Sequence, residues 1–388
     1  MKRLLLVWYM GLIIFSGVFS TPILFAQKYF KAVPVYSDSI RLTILNPCRE
    51  RIQTIEKLRE RGLITLDKLK VIGVFHEEER TDYNEAKRYS KDHKLNWMKF
   101  HRLCGPLNKT IIFRKNSYTR DFQDIFHKSD GIILFGGPDI PPEIYNHKTN
   151  PLTLVTDPNR HYLELSLSFH LLGGTENPDG IPLLQENPDF PIIGFCLGAQ
   201  TLNVATGGTM VQDIWAEVYK IQSEENVLLL DPQKWHKNPY AQLYPEKEFV
   251  FYQLHTICLC PQGKFISEFG FSEQDTPLVL SGHHQMIDTL GKNLQIIATS
   301  GDGKVPEAIE HMKYPHVLGV QFHPEYEMLW DPNHPVCFSP SDTVRKSLFS
   351  ILEENPPSLE FHKKLWSWFE ESLVEYHSGR LSPLKDRN

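Results

Sequence analysis

The sequence has no long run of basic residues. Its 41 Lys and Arg are outnumbered by 47 Asp and Glu, giving a formal net charge of -6. A chain without a basic stripe has no electrostatic footprint for a phosphate backbone, which excludes nucleic acid as a partner. Internal repeats and low-complexity segments are missing, so a repeat architecture is excluded. Beyond residue 25 no apolar stretch is long enough to cross a bilayer. Cysteine is scarce, with six in the chain: Cys48, Cys104, Cys196, Cys258, Cys260 and Cys337. Cys258-x-Cys260 would place both thiols on one face of a strand. No matching His/Cys pair completes a zinc motif, so no metal site is expected. Five cysteines remain when Cys196 is set aside. An oxidising compartment would permit one or two disulfides, with the pairing left open.

What is present is a large globular chain. Hydrophobic residues make up 41% and charged residues 23%, enough for a sizeable core, and 27 prolines point to many loops. Lys2 and Arg3 precede an apolar run from Leu4 to about Phe19, and Ala26 follows after Ser20-Thr-Pro22. That is the layout of a secretory signal over residues 1–26, with cleavage after Ser20 or Ala26. The competing reading is an uncleaved anchor, since Leu4 to Phe25 nearly spans a bilayer. Export, to a periplasm or outside the cell, is the expected location.

Taken in order, residues 27–67 read as an N-terminal extension. It contains a helix over Arg49 to Arg61, with Ile52, Ile55 and Leu58 on one side. Lys68 to Phe75 is the first convincing strand. Glu77 to Lys91 reads as a solvated loop or helix, Thr110 to Phe113 as a second strand and Phe122 to Phe126 as helical. A third strand, Gly131 to Phe135, runs into Gly136-Gly-Pro-Asp139. Asp157 to Leu172 is an amphipathic helix, and 173–189 a surface loop. Leu228 to Glu246 looks inserted. Strands are expected at Pro277–Leu280, Leu294–Thr299 and Val317–Phe322, then helices at Asp342–Glu353 and Ser358–Tyr376 around Pro356-Pro357. Strands alternating with helices early, then clustered late, predict an α/β three-layer domain over 68–330. Its sheet would be mostly parallel with a partly antiparallel edge. Residues 331–388 would be a helical extension on the same domain.

The stretch Pro191-Ile-Ile-Gly-Phe-Cys-Leu-Gly-Ala-Gln200 organises the rest. An apolar strand leads into a helix, and Cys196 sits on the turn between Gly194 and Gly198. Gly-x-Cys-x-Gly is the cysteine form of a nucleophile elbow. The glycines are required because neighbouring backbones come close at so sharp a turn. The position at a helix N-terminus favours a thiolate in general.

Downstream, Gly319-Val-Gln-Phe-His-Pro-Glu325 ends another apolar run. On an extended chain His323 and Glu325 face the same way, and Pro324 biases His323 to that conformation. A carboxylate beside an imidazole fixes its tautomer, and an imidazole beside a thiol takes its proton. Gly136 and Gly137 allow the backbone close to a ligand oxygen. The N–H groups of Gly137 and Leu197 would form an oxyanion hole.

These stretches resemble the class I glutamine amidotransferase fold, and within it the peptidase C26 branch, which includes γ-glutamyl hydrolase and γ-glutamyl-GABA hydrolase. Supporting segments are Thr156-Asp-Pro-Asn-Arg160 with Glu164, Gly207–Asp213, Ser281-Gly-His-His-Gln285, and Gly301-Asp-Gly303 before Glu307–Glu310. The resemblance implies a flavodoxin-like core with Cys196 as nucleophile, His323 as base and Glu325 as orienter. It implies a substrate pocket drawn from Gly136, Gln200, His283, His284 and Gln285. Three departures stand out: Arg160-His161 where the family has Arg-Asp, Pro306 interrupting the strand before Glu307, and long loops at 173–189, 228–246 and 329–357.

The expected activity is hydrolysis of a γ-glutamyl amide or peptide bond through a thioester, needing no metal or organic cofactor. The partners expected are a small γ-glutamyl substrate and, at most, a second copy as a homodimer. A membrane partner enters only if the N-terminal segment stays uncleaved. One rival is a glutaminase feeding ammonia to a synthetase, although no synthetase domain is fused. The other is a non-catalytic binding protein on the same fold.

Overall fold

The computed structural model describes residues 28–177 and 179–385; the expected export segment lies outside them. Ten strands form one sheet among the described residues. They are β1 (Ile40–Leu45), β2 (Leu69–His76), β3 (Met98–Leu103), β4 (Gly131–Leu134), β5 (Ile192–Phe195), β6 (Gln253–Leu259), β7 (Leu278–Ser281), β8 (Leu294–Ser300), β9 (Pro306–His311) and β10 (Val317–Val320). Across the sheet the order is β3-β2-β1-β4-β5-β10-β9-β8-β6-β7. Every neighbouring pair from β3 to β10 is parallel. Every pair from β10 to β7 is antiparallel. The run β2-β1-β4-β5-β10 has the order of a flavodoxin-like sheet. One more parallel strand, β3, is added at its edge, and the antiparallel half is appended to the other side.

Helices cover both faces. On one lie α1 (Arg49–Glu60) and α2 (Tyr83–Asp92), burying Ile52, Ile55, Leu58, Ala86 and Tyr89 against β1 and β2. On the other lie α3 (Thr119–Lys128), α4 (Pro158–Leu172) and α5 (Leu197–Ala205). The Asp157 side chain and Pro158 open α4 as cap and first-turn proline. At the end of the chain α6 (Leu348–Glu353) precedes the long α7 (Pro356–Lys385). In α7 the Trp366 ring packs at a tilt against Phe195, 5.6 Å between centroids, and Leu373 fills the space beside Gly131. Arg380 reaches Asp130 at 2.8 Å. The C-terminal segment is therefore part of the main core.

Several local expectations change. Residues 27–67 are not peripheral: they supply β1, which is buried along its length between β2 and β4. Arg41 hides it in the sequence, because a charge breaks the apolar run. Its guanidinium is satisfied by the carbonyls of Pro34 and Val35 and its N–H by Asp130. Thr110–Phe113 is a series of turns rather than a strand. Asn108 accepts from both the N–H and hydroxyl of Thr110 there, an Asx turn that competes with a ladder. The strand is instead β3, whose Lys99 and Arg102 mask its period. The late helix begins at Leu348, where Ser347 caps it. Pro356-Pro357 open α7 instead of separating helices, since proline is tolerated in a first turn. Pro306 likewise opens β9, and the register against β8 shifts between Ala308 and Pro306.

Candidate active site

Loops leaving the C-terminal ends of β4, β5 and β10 converge at one point. The β5–α5 turn holds Cys196 at φ +50° and ψ -105°, a conformation that costs a non-glycine residue roughly 1–3 kcal/mol. The surroundings impose it. Cys196 N–H donates to the Val320 carbonyl at 2.8 Å. A Cβ on Gly194 would lie 2.5 Å from the carbonyl carbon of Gly198, and one on Gly198 would lie 2.2 Å from the oxygen of Leu134. Both glycines are thus required by close approach. Cys196 is 7% exposed.

His323 and Glu325 follow β10. His323 Nδ1 donates to Glu325 Oε1 at 2.8 Å, which leaves Nε2 for the cysteine, and His323 and Cys196 both press against Gly136. Burial disfavours the imidazolium, yet the negative charge that Tyr326, Glu325 and Cys196 can carry outweighs it. The net effect raises His323 well above its ordinary value. Tyr326 stacks on the imidazole, 4.4 Å between centroids, and Tyr252 meets it edge-on at 5.7 Å. The Pro324 carbonyl accepts from the indoles of Trp330 and Trp366 at 2.8 and 3.2 Å. The His-Pro-Glu turn is therefore clamped from both sides.

The third loop is Gly136-Gly137. A Cβ on Gly136 would lie 2.9 Å from His323 Cε1 and 3.4 Å from Cys196 Cβ, so only glycine fits against the pair. A Cβ on Gly137 would lie 2.1 Å from Arg160 Nη1. Arg160 donates to the carbonyls of Phe135 and Gly136 at 3.2 and 3.0 Å and to Glu164 at 2.8 Å. Arg51, from α1, donates to the same Gly136 carbonyl at 2.7 Å. Two arginines from opposite faces thus fix one loop. Leu197 opens α5, where a backbone N–H has no intrahelical partner.

The sequence does not single out Arg51, Tyr252 or Tyr326. They sit on elements outside the motifs, and only the packing brings them to His323 and Gly136. His161, at the position where the family has Asp, is buried. Burial and then Arg160 lower it to about 3.

The expected substrate-binding residues divide. His284 lies between Asp139, 3.1 Å from Nε2, and Asp213, 3.2 Å from Nδ1. Burial opposes its charge, but both carboxylates outweigh it and raise it to about 9. A cavity of about 840 Å³ opens beside His284, Asp213, Trp215 and Lys237. Gln200 is buried and bonds Gln321 at 3.3 Å. Gln285 is buried with neither amide atom hydrogen-bonded. His283 is the exception and corrects the expectation. Its Nδ1 faces the Gln285 carbonyl at 2.8 Å, and its Nε2 turns into the antiparallel half toward Glu307. That nitrogen has no hydrogen-bond partner, but it is buried away from the cavity beside His284. A second cavity, of about 410 Å³, is lined by Arg51, Tyr252, Tyr326 and Met328.

A flavodoxin-like sheet with a cysteine elbow on one strand and a His-Pro-Glu turn on the next defines the glutamine amidotransferase-like class. Within it, this chain belongs to the Peptidase C26 family, whose family model matches residues 70–325. It is 30% identical over 228 residues to the glutamine amidotransferase-like protein YvdE of Lactococcus lactis, covering 59% of this chain and 78% of that one. It is 27% identical over 205 residues to the gamma-glutamyl-gamma-aminobutyrate hydrolase PuuD of Escherichia coli, covering 53% and 67% respectively. A solved glutamine amido transferase from Methylobacillus flagellatus aligns with a TM-score of 0.37 at 15% identity, over 80% of this chain and 95% of that one. Family and relatives make the chain a glutamine amidotransferase-like hydrolase.

Proposed function

We propose that this protein hydrolyses γ-glutamyl amide or peptide bonds through a γ-glutamyl thioester on Cys196. The observation that carries the reading is Cys196, held at positive φ and packed with His323 around Gly136, where Glu325 orients the imidazole at 2.8 Å. The sulfur attacks the side-chain carbonyl of the γ-glutamyl group. The N–H groups of Gly137 and Leu197 receive the oxyanion. His323 passes its proton to the leaving amine, and water then adds to the thioester. Glutamate departs and the thiol is restored. The polar end of the substrate is assigned to the cavity beside His284, which lies between Asp139 and Asp213.

The names of the relatives support the reaction class from outside the geometry: one is a gamma-glutamyl-gamma-aminobutyrate hydrolase. Another is named a glutamine amidotransferase-like protein, which favours the glutaminase reading. A panel of γ-glutamyl amines, γ-glutamyl peptides and glutamine, tested with the isolated protein, separates the two. Turnover of γ-glutamyl amines or peptides supports hydrolysis. Turnover of glutamine alone, and only with a partner present, contradicts it. Export is the accompanying proposal for location, from Lys2-Arg3 and the apolar run after them. Mass spectrometry of the protein from its native host tests it, and an intact N-terminus in a membrane fraction would indicate an anchor.

A further inference from the structure

We propose that His236, His255, His283 and Glu307 form a closed site for one divalent transition metal, best suited to zinc, that holds the antiparallel half together. Their candidate ligand atoms all lie within 4.8 Å of one another, and all four residues are buried. Glu307 Oε1 is 3.2 Å from His236 Nδ1, 3.5 Å from His255 Nε2 and 3.8 Å from His283 Nε2. Four ligands about 2.0–2.1 Å from a tetrahedral zinc stand about 3.3–3.4 Å apart, so the spacing is close to that of a coordination shell.

The hydrogen bonding makes the argument sharper. His255 Nδ1 faces the Thr256 carbonyl at 3.1 Å and His283 Nδ1 faces that of Gln285 at 2.8 Å. A carbonyl only accepts, so each Nδ1 carries the proton and each Nε2 presents a lone pair. Both lone pairs point at a carboxylate, an arrangement that repels unless a cation sits between them. Both oxygens of Glu307, both ring nitrogens of His236, and Nε2 of His255 and His283 have no hydrogen-bond partner. Buried polar atoms in native proteins are rarely left so. Imidazoles that donate their far N–H to a backbone carbonyl are the usual outer shell of a histidine–metal site.

His236 adds a second sign. Its backbone is at φ +54°, uncommon for a non-glycine residue. Its carbonyl is held by the His283 N–H at 3.0 Å and the Ser281 hydroxyl at 2.8 Å. The inserted 228–246 segment, β6, the loop after β7, and β9 each supply one ligand. A metal here would staple four elements that otherwise meet through unpaired polar groups. Three imidazoles and one carboxylate leave no open position, so the ion's role is structural. This revises the expectation of no metal, which rested on cysteine spacing alone. The inference stands on the cluster itself and not on the hydrolase reading.

The test is metal analysis of the full chain. Protein stripped with a chelator and dialysed against zinc chloride should take up about one zinc per chain, and its thermal midpoint should rise. Cobalt in its place should give the intense visible bands of a tetrahedral ion. Glu307→Gln and His255→Gln should lose the metal, whereas Cys258→Ser combined with Cys260→Ser should keep it. Wild-type protein that stays free of stoichiometric metal with an unchanged midpoint would overturn the site. So would zinc removed by the cysteine pair of substitutions, a comparison that holds even if the Glu307 variant fails to fold.

Discussion

The parallel and antiparallel halves of the sheet handle polar groups in opposite ways. In the parallel half they sit on loops beyond the strand ends. There Cys196, His323 and Gly136 are pressed together by close approach, and the charged groups beside them are paired, His323 with Glu325 and Arg160 with Glu164. In the antiparallel half they lie within the core: His236, His255 and Glu307 are fully buried and largely unpaired. One half holds its nucleophile at positive φ. The other leaves electrostatic demand that no hydrogen bond among the described residues meets. A reactive centre needs the first, since the nucleophile must be aimed and still reachable. A structural centre tolerates the second, because a bound ion satisfies every group at once.

The halves also meet. His323 N–H donates to the Leu280 carbonyl of β7 at 2.8 Å, so the antiparallel strands support the base. The comparison is sharpened by substitutions that affect one half alone.

Gly198→Ala should have the largest effect. Its new Cβ has no room against Leu134, so both γ-glutamyl turnover and thermal stability should collapse; assay and calorimetry together check it. Retained activity would mean that the elbow relaxes easily. Cys196→Ser should come next: kcat/KM falls on the order of a thousandfold or more, about 4 kcal/mol, while the melting temperature stays put. Residual turnover near wild type would place the chemistry elsewhere.

Arg160→Met should rank third. It leaves Glu164 buried without its cation, costing about 3–5 kcal/mol of stability, and it frees the Gly136 loop. Denaturant titration beside the kinetic assay measures both. A loss of stability with unchanged kcat would show that Arg51 alone holds the loop.

Glu325→Gln should be the mildest, and weaker than His323→Ala. The negative charge of Glu325 is among the interactions that raise His323, so its removal lowers the pH at which the imidazolium loses its proton. Expulsion of the amine needs that proton, so the basic limb of the kcat/KM profile should move to lower pH. An unmoved limb would mean that the charge near Tyr326 and Cys196 suffices.

What the sequence showed follows the same division. Cys196, Gly194 and Gly198 lie within five consecutive positions, and His323 with Glu325 within three, because one turn builds each. Local motifs of that kind are readable without a structure, and so was the α/β class from its strand and helix periods. β1 was not, because Arg41 interrupts its apolar run and its partners, the Pro34 and Val35 carbonyls and Asp130, are set only by the folded chain. Arg51 and Tyr326 were invisible for a related reason: a helix face and a loop residue acquire a role only once packed. The His/Glu cluster was the least legible, since its members come from four elements and no two share a spacing rule. His283 was expected in the substrate pocket with His284 and Gln285, but its side chain turns away from the cavity beside His284.

The measurement that bears most directly on the central claim is mass spectrometry of wild-type protein, acid-quenched within its first turnovers of a γ-glutamyl substrate. The account predicts that the protein gains the mass of one γ-glutamyl group, that peptide mapping places it on Cys196, and that hydroxylamine removes it as it would a thioester. Turnover without any such adduct, or an adduct on Cys104, Cys258, Cys260 or Cys337, would contradict it.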